Sequence, residues 1–279
     1  MCPFTYPCVV GHVLNQVQIL CLSEKCFCFC IDSCVYYISI VVYFSEIEIT
    51  QNHDHHPESC CEEYLHRQSL CVGGIPFVVF RLADVIGPRD STNRFWQFLL
   101  WLKLCLHHKV PFYLRETDRD KLISLCYVKD VAMFLACSLY DNTLNRQLLQ
   151  TSNSSCYNLA VFETMTVDDL IKLICDQLPL RKQLKVIYTG SESVPQILPS
   201  VSCGPISVMK ASTGLGWIPS SLLNAVKDTV YFYQNIMDNR EFCTEKKECM
   251  KELLDDLMDV YPEHLTESFR KYLKSCLNS

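Results

Sequence analysis

The sequence predicts an α/β fold, and three observations carry that prediction. From Gly73-Gly74 onward, strand-like and helix-like blocks alternate with ordinary turn chemistry between them. The first block, IPFVVFRL (75–82), is apolar almost throughout and sits between Gly-Gly and Gly-Pro, as a strand buried on both faces should. A chain of 279 residues that is 49% hydrophobic can also fill a substantial core.

The chain divides by texture. Residues 1–71 hold ten of the nineteen cysteines and only two basic residues, Lys25 and Arg67. The run CFCFCIDSCVYYISIVVYF, from Cys26 to Phe44, sustains neither a helical nor a strand period throughout. Its 19 residues approach the length of a membrane span. The central Asp32 would cost about 3 kcal/mol in a bilayer, however, and the β-branched and aromatic enrichment suits a strand. A membrane helix is therefore not expected. The absence of a positively charged leader and cleavage site argues for reduced thiols and a cytoplasmic protein, with each lone cysteine acting as a small buried hydrophobe. The net charge of -6 and pI near 5.8 exclude a general nucleic-acid binder, because no basic stripe exists to neutralise phosphates. His53, Asp54, His55, His56 and His66 have no Cys-x-x-Cys partner, and adjacent histidines seldom converge on one ion, so no metal site is assigned.

The remaining elements follow in order. STNRFWQFLLWLKLCLHH (91–108) is a helix with Phe95, Phe98, Leu99, Leu102 and Leu106 on one face and Ser91 or Thr92 as N-cap. Trp96, Leu100 and Trp101 widen that face, so the helix should be covered on two sides. Short strands at VPFYL (110–114) and LISLCYV (122–128) lead to a helix over 129–140, with Val131, Phe134, Leu135 and Leu139 inward. A strand at CYNLAVF (156–162) precedes a helix opened by Thr166 and Asp169, a carboxylate variant of the capping box, with Leu170, Ile171, Ile174 and Leu178 inward. LKVIY (184–188) is a further strand and 191–205 is loop. Residues 210–235 place Gly214 and Gly216 around Leu215, then Trp217, then Pro219 as the first-turn residue of a helix. The tail, 237–279, reads as two amphipathic helices, the first with Phe242, Met250, Leu253, Leu254, Leu257 and Val260 on one face. Such a face most often covers its own chain's core, and the alternative is a homodimer through the tail.

Taken in order, these motifs point to a family. Arg81-x-x-x-Val85-x-Gly87-Pro88, a long helix, Tyr127-Val128-Lys129-Asp130-Val131-Ala132, Tyr157-Asn158-Leu159 and Leu215-Gly216-Trp217-x-Pro219 together resemble the carboxyl half of the NAD-dependent epimerase/dehydratase family, the extended short-chain dehydrogenase/reductases. The resemblance covers residues 75–236. It implies an incomplete Rossmann-like, doubly wound sheet with a smaller carboxyl-terminal substrate-domain portion, spanning 72–236 between the Cys-rich segment and the helical tail. It also implies NAD or NADP as cofactor and a nucleotide sugar or other hydroxylated small molecule as substrate. In such proteins the segment after the sixth strand passes over the nicotinamide. Leu82, Ala83 and Val85 would then contact the cofactor, and Asp84, where the family often has Asn, would reach towards substrate with Arg89 and Arg94. The extra negative charge would repel a pyrophosphate unless Arg89 or Arg94 offset it. On the plainer reading, Asp84 and Arg89 cap the loop and pair with each other.

The catalytic parts are missing from the pattern. Family members open with a Gly-rich turn that lets the backbone approach the pyrophosphate, yet this chain has one glycine, Gly11, before Gly73 and no G-x-x-G-x-x-G anywhere. The Tyr-x-x-x-Lys pair fares no better: CCEEYLHRQ (60–68) resembles the continuation of its helix, and counting back places Asp54 and Glu58 at the pair's positions. Tyr64 is followed four residues on by Gln68. VVYFS (41–45) is similar to the family's fifth strand, with Ser45 where a Ser assists the catalytic Tyr. No catalytic residue is assigned. The expectation is a family member by descent whose own chain does not catalyse, the alternative being an active NAD(P)-dependent oxidoreductase or epimerase.

Overall fold

A computed structural model describes residues 17–23, 26–33, 36–44, 77–90, 92–140, 155–179, 184–199, 205–236 and 243–278. In chain order the strands begin with β1 (Val17–Ser23), β2 (Cys26–Ser33), β3 (Tyr36–Phe44), β4 (Phe77–Leu82) and β5 (Asp84–Ile86). Helix α1 (Arg94–His108) leads to β6 (Phe112–Arg115), a single 3-10 turn, β7 (Leu122–Ile123), β8 (Leu125–Tyr127) and α2 (Val128–Tyr140). Then come β9 (Ser155–Leu159), β10 (Met165–Thr166), α3 (Val167–Asp176) and β11 (Val186–Thr189). Four helices complete the chain: α4 (Met209–Leu215), α5 (Leu222–Ile236), α6 (Cys243–Leu257) and α7 (Glu263–Asn278).

The main sheet has five strands in the order β1-β2-β3-β4-β9. β3, β4 and β9 are parallel, with Val41 opposite Val79, Phe80 opposite Tyr157 and Leu82 opposite Leu159. β1 and β2, and β2 and β3, are antiparallel neighbours, which need only short links, whereas each parallel step requires a crossover. The parallel core is what an incomplete doubly wound sheet should retain. The run Cys26–Phe44, without one sustained period, forms two strands, as its β-branched and aromatic composition favours. Ser45, the His53–His56 group with Asp54, and Glu58, Tyr64, His66 and Gln68 lie outside the described residues.

Three two-stranded ladders accompany the main sheet. β5 pairs with β8 and β6 with β11, both parallel, while β7 pairs with β10 antiparallel. The stretch expected as one strand over 122–128 is therefore two, with different partners. Ser124 separates them, and its hydroxyl accepts a hydrogen bond from the Ile206 amide at 2.9 Å.

Helix α1 is the axle of the larger core. Eleven of its fifteen residues are buried, including all eight of the apolar positions expected from the sequence. Trp96 stacks on Tyr233 of α5 at 5.1 Å, and Trp101 meets Phe112 of β6 at 4.1 Å. On another side Gln97 donates to Glu252 of α6 at 2.7 Å, and the Trp101 indole donates to Tyr261 at 3.1 Å. Full burial of such aromatic side chains is worth about 1.5–3 kcal/mol each, so this helix supplies much of the driving force. The tail packs on its own chain: Met250, Leu253 and Leu257 of α6 and Phe269 and Leu273 of α7 join the same core. A smaller core unites Phe80, Leu82, Phe134, Tyr157, Leu159 and Trp217.

Two ends differ from expectation. Helix α1 is capped by neither Ser91 nor Thr92 but by Asn93 in a left-handed conformation (φ 56°), while Asp90 accepts from the Thr92 amide and hydroxyl at 2.9 and 2.6 Å. The turn chemistry is thus spent one step earlier than the helix. Pro219 is not a first-turn residue. The segment breaks into α4, closed by Gly216 at φ 70°, and α5, which starts only at Leu222 because Ser220 is held by Asp130. The Thr166–Asp169 capping box opens α3 as expected, with the Asp169 amide donating to the Thr166 hydroxyl at 3.2 Å.

Candidate functional site

The carboxyl ends of parallel strands are where open α/β sheets place ligands. Here that position belongs to Leu82 through Arg94. Leu82 and Ala83 are buried in the smaller core, and the Ala83 amide donates to the Leu159 carbonyl at 3.3 Å, which stitches the end of β4 to β9. Val85 is half-buried on β5. Gly87 adopts φ 145°, and a Cβ there would stand 2.2 Å from the Val128 side chain, so the turn needs glycine for both backbone and space. Arg89 (φ 64°) and Asn93 also take left-handed conformations, and with Gly87 they turn the chain back over the strand end.

Asp84 is the unusual group. Its side chain is 1% exposed, and the Arg94 guanidinium, 21% exposed, lies 3.5 Å from Oδ1. The two elements that build this pair are β5, which holds Asp84 opposite Leu125, and the first turn of α1. Of the two arginines that the sequence offered to offset this charge, Arg94 stands at ion-pair distance. A carboxylate this buried is tolerated when paired and becomes costly when its partner leaves.

The Tyr-Val-Lys-Asp motif turns out to be a clamp. The Tyr127 hydroxyl donates to Asp228 Oδ2 of α5 at 2.6 Å, and Lys129 Nζ donates to the same oxygen at 2.8 Å. Burial and the Asp228 carboxylate push the Tyr127 phenol up to about 12. Burial pushes Asp228 up, but the Lys129 and Tyr127 donors outweigh it and hold the carboxyl below its usual range. A proton-transferring tyrosine needs the opposite shift. Next in the motif, Asp130 accepts from the Ser220 amide and hydroxyl, both at 2.7 Å. The Trp217 indole donates to the Ala160 carbonyl at 2.8 Å, tying the Leu-Gly-Trp segment to the end of β9. Sequence reasoning placed these motifs but missed Asp228, Ser220 and Glu163, which carry no local signature.

A dinucleotide's pyrophosphate needs backbone amides free at a helix start. Acidic side chains take part at two helix starts, where Asp169 closes the Thr166 capping box of α3 and Glu163 accepts from the Leu222 amide at 3.2 Å before α5, whereas the first turn of α1, at the loop itself, carries no acidic residue. No tyrosine in the sequence has a lysine four residues later, and the eight glycines never fall in the pyrophosphate-binding spacing. The sequence thus lacks both the glycine spacing and the Tyr-x-x-x-Lys pair of the family that it resembles.

No family model and no curated protein matches the sequence. Solved structures do. UDP-glucose 4-epimerase of Stenotrophomonas maltophila, with bound NAD and formylated UDP-arabinopyranose, aligns at TM-score 0.50 and 14% identity over 71% of this chain and 64% of that one. The chain has an epimerase-like α/β fold. UDP-glucuronic acid 4-epimerase of Bacillus cereus, with UDP-glucuronic acid and NAD, aligns at 0.49 and 15% identity, covering 71% and 61%. UDP-glucose 4-epimerase of Thermotoga maritima, with UDP-glucose, aligns at 0.48 and 20% identity, covering 70% and 63%. The epimerase-like chain thus spans less than two thirds of the length of each.

Proposed function

We propose that this chain is a non-catalytic relative of the NAD-dependent epimerases and dehydratases, which retains the substrate-side half of the fold and does not transfer hydride. The observation that carries the reading is the Tyr127–Asp228–Lys129 clamp. It is a tyrosine beside a lysine, yet Asp228 takes both donors and pushes the phenol away from neutral pH, so it cannot stand in for the missing acid/base pair. The sequence supplies neither that pair nor the glycine turn, and each defect alone removes orders of magnitude in rate.

On this reading Leu82, Ala83 and Val85 are the remnant of a nicotinamide-facing loop, and Asp84, Arg89 and Arg94 the remnant of its substrate side. A nucleotide sugar is the substrate class that the fold neighbours' ligands suggest. Residues 72–236 form the epimerase-like unit, 1–71 an atypical front segment and 237–279 a helical tail that would carry any homodimer contact. No helix among the described residues is long and apolar enough to cross a membrane. The abundance of thiols suits a reducing, cytoplasmic setting. The test is turnover. Purified full chain, given UDP-glucose with NAD or NADP, should produce neither epimerised sugar nor reduced nicotinamide above the no-protein rate; turnover that survives repurification and rises with protein concentration defeats the proposal.

A further inference from the structure

A groove of about 370 Å³ runs along α5. Its size falls within the range of small-molecule sites, about 300–1,000 Å³. Its polar walls are Gln177, from the end of α3, and Asn224, Lys227, Asp228, Tyr231 and Gln234 of α5. Positions 224, 227, 231 and 234 recur at the spacing of one helical stripe. The opposite stripe, including Leu222, Val226, Val230 and Tyr233, is buried in the larger core. Helix α5 therefore spends its apolar face on its own chain and turns a polar one outward.

That polar stripe is uncommitted. Among the described residues the side-chain amides of Gln177, Asn224 and Gln234 make no hydrogen bond, and Lys227 has no ion-pair partner. Asp228 Oδ2 is saturated by Tyr127 and Lys129, which leaves Oδ1 to accept from a ligand. The Tyr231 side chain is 65% exposed, an apolar ring with a polar tip. A peptide helix docking here would want several apolar anchors along the stripe, and only one aromatic is offered.

We propose that this groove binds a saccharide whose pyranose ring carries a carboxylate. Lys227 pairs with the carboxylate. The three amides, each presenting a donor and an acceptor in one plane, and Asp228 Oδ1 meet the ring hydroxyls. Tyr231 lies against the C–H face. The site shares Asp228 with the Tyr127–Lys129 clamp but uses its other oxygen, and ligand binding there does not depend on whether the chain transfers hydride.

Amide NMR of the isotope-labelled full chain tests this, with sodium glucuronate, glucose and sodium acetate as probes. Glucuronate should shift the resonances of residues 224–234 saturably, with a dissociation constant of about 1 mM. Glucose should bind the same residues about tenfold more weakly, and acetate should not saturate. Lys227→Gln should erase the glucuronate advantage, and Tyr231→Ala should weaken both sugars. Both positions are exposed, so spectra elsewhere should stay unchanged. Three results overturn the proposal: no saturable shift along α5 with either sugar, equal response to acetate, or unaltered glucuronate binding in Lys227→Gln. None of these bears on whether the chain turns over a nucleotide sugar.

Discussion

Replacing Arg94 with Met removes the guanidinium from Asp84 while keeping a long apolar stem. Breaking a buried ion pair from one side costs about 3–5 kcal/mol. Here the guanidinium is a fifth exposed, stands 3.5 Å away, and Asp84 has further interactions, so the expected cost is lower, about 2 kcal/mol. At about 2–4 °C per kcal/mol for a chain of this size, the midpoint should fall by about 4–8 °C. The decisive comparison is the double variant, Asp84→Asn with Arg94→Met. A neutral amide needs no counter-charge, so the pair of changes should cost about 1 kcal/mol less than the sum of the singles, a coupling that equilibrium denaturation resolves. Additive single effects, or an Arg94→Met midpoint within 1 °C of the parent, would refute the claim that Asp84 is held as a buried carboxylate by Arg94.

Four further outcomes follow from the geometry. Gly87→Ala should destabilise by about 3 kcal/mol in urea, from the strained φ together with the Val128 clash, and Val128→Ala should restore only part of it. Asp228, whose carboxyl is held below its ordinary range, contributes stability that is present above that range and lost as pH falls through the depressed value; Asp228→Asn should flatten the acid limb of a stability-pH curve. Tyr127 is raised from near 10 to about 12, so its contribution is present below pH 10 and lost as pH rises towards 12; Tyr127→Phe should remove one proton's worth of slope there. Native alkylation followed by mass spectrometry should label the exposed Cys137 and spare Cys105, Cys126 and Cys249, whose thiols burial pushes up.

What the sequence made legible was local. Helix α3 was readable because its capping box and its inward Leu170, Ile171 and Ile174 lie within a few residues of one another. Helix α1 was readable from its unbroken apolar faces, although its start was not, because Asn93 is a left-handed cap without the usual side-chain bond. The sequence offered Arg94 beside Arg89 to offset Asp84, but the same limit hid the turn that brings Arg94 to it. Three positive-φ residues, Gly87, Arg89 and Asn93, turn the chain back, and two of them are not glycine. The clamp was further out of reach, since Tyr127 and Asp228 stand 101 positions apart and nothing near Asp228 marks it. Cys137 also departs from the expectation that lone cysteines are buried; it lies on an outward position of α2. The absence of the glycine turn, by contrast, could be read directly, because a missing residue type needs no structure to locate it.

The central claim is that the chain keeps an epimerase-like substrate half without a grip on the dinucleotide. Isothermal calorimetry of the full chain with NAD and with NADP tests it most directly. The account predicts no saturable heat at millimolar cofactor, alone or with UDP-glucose. A dissociation constant of about 1 μM for either dinucleotide would contradict it.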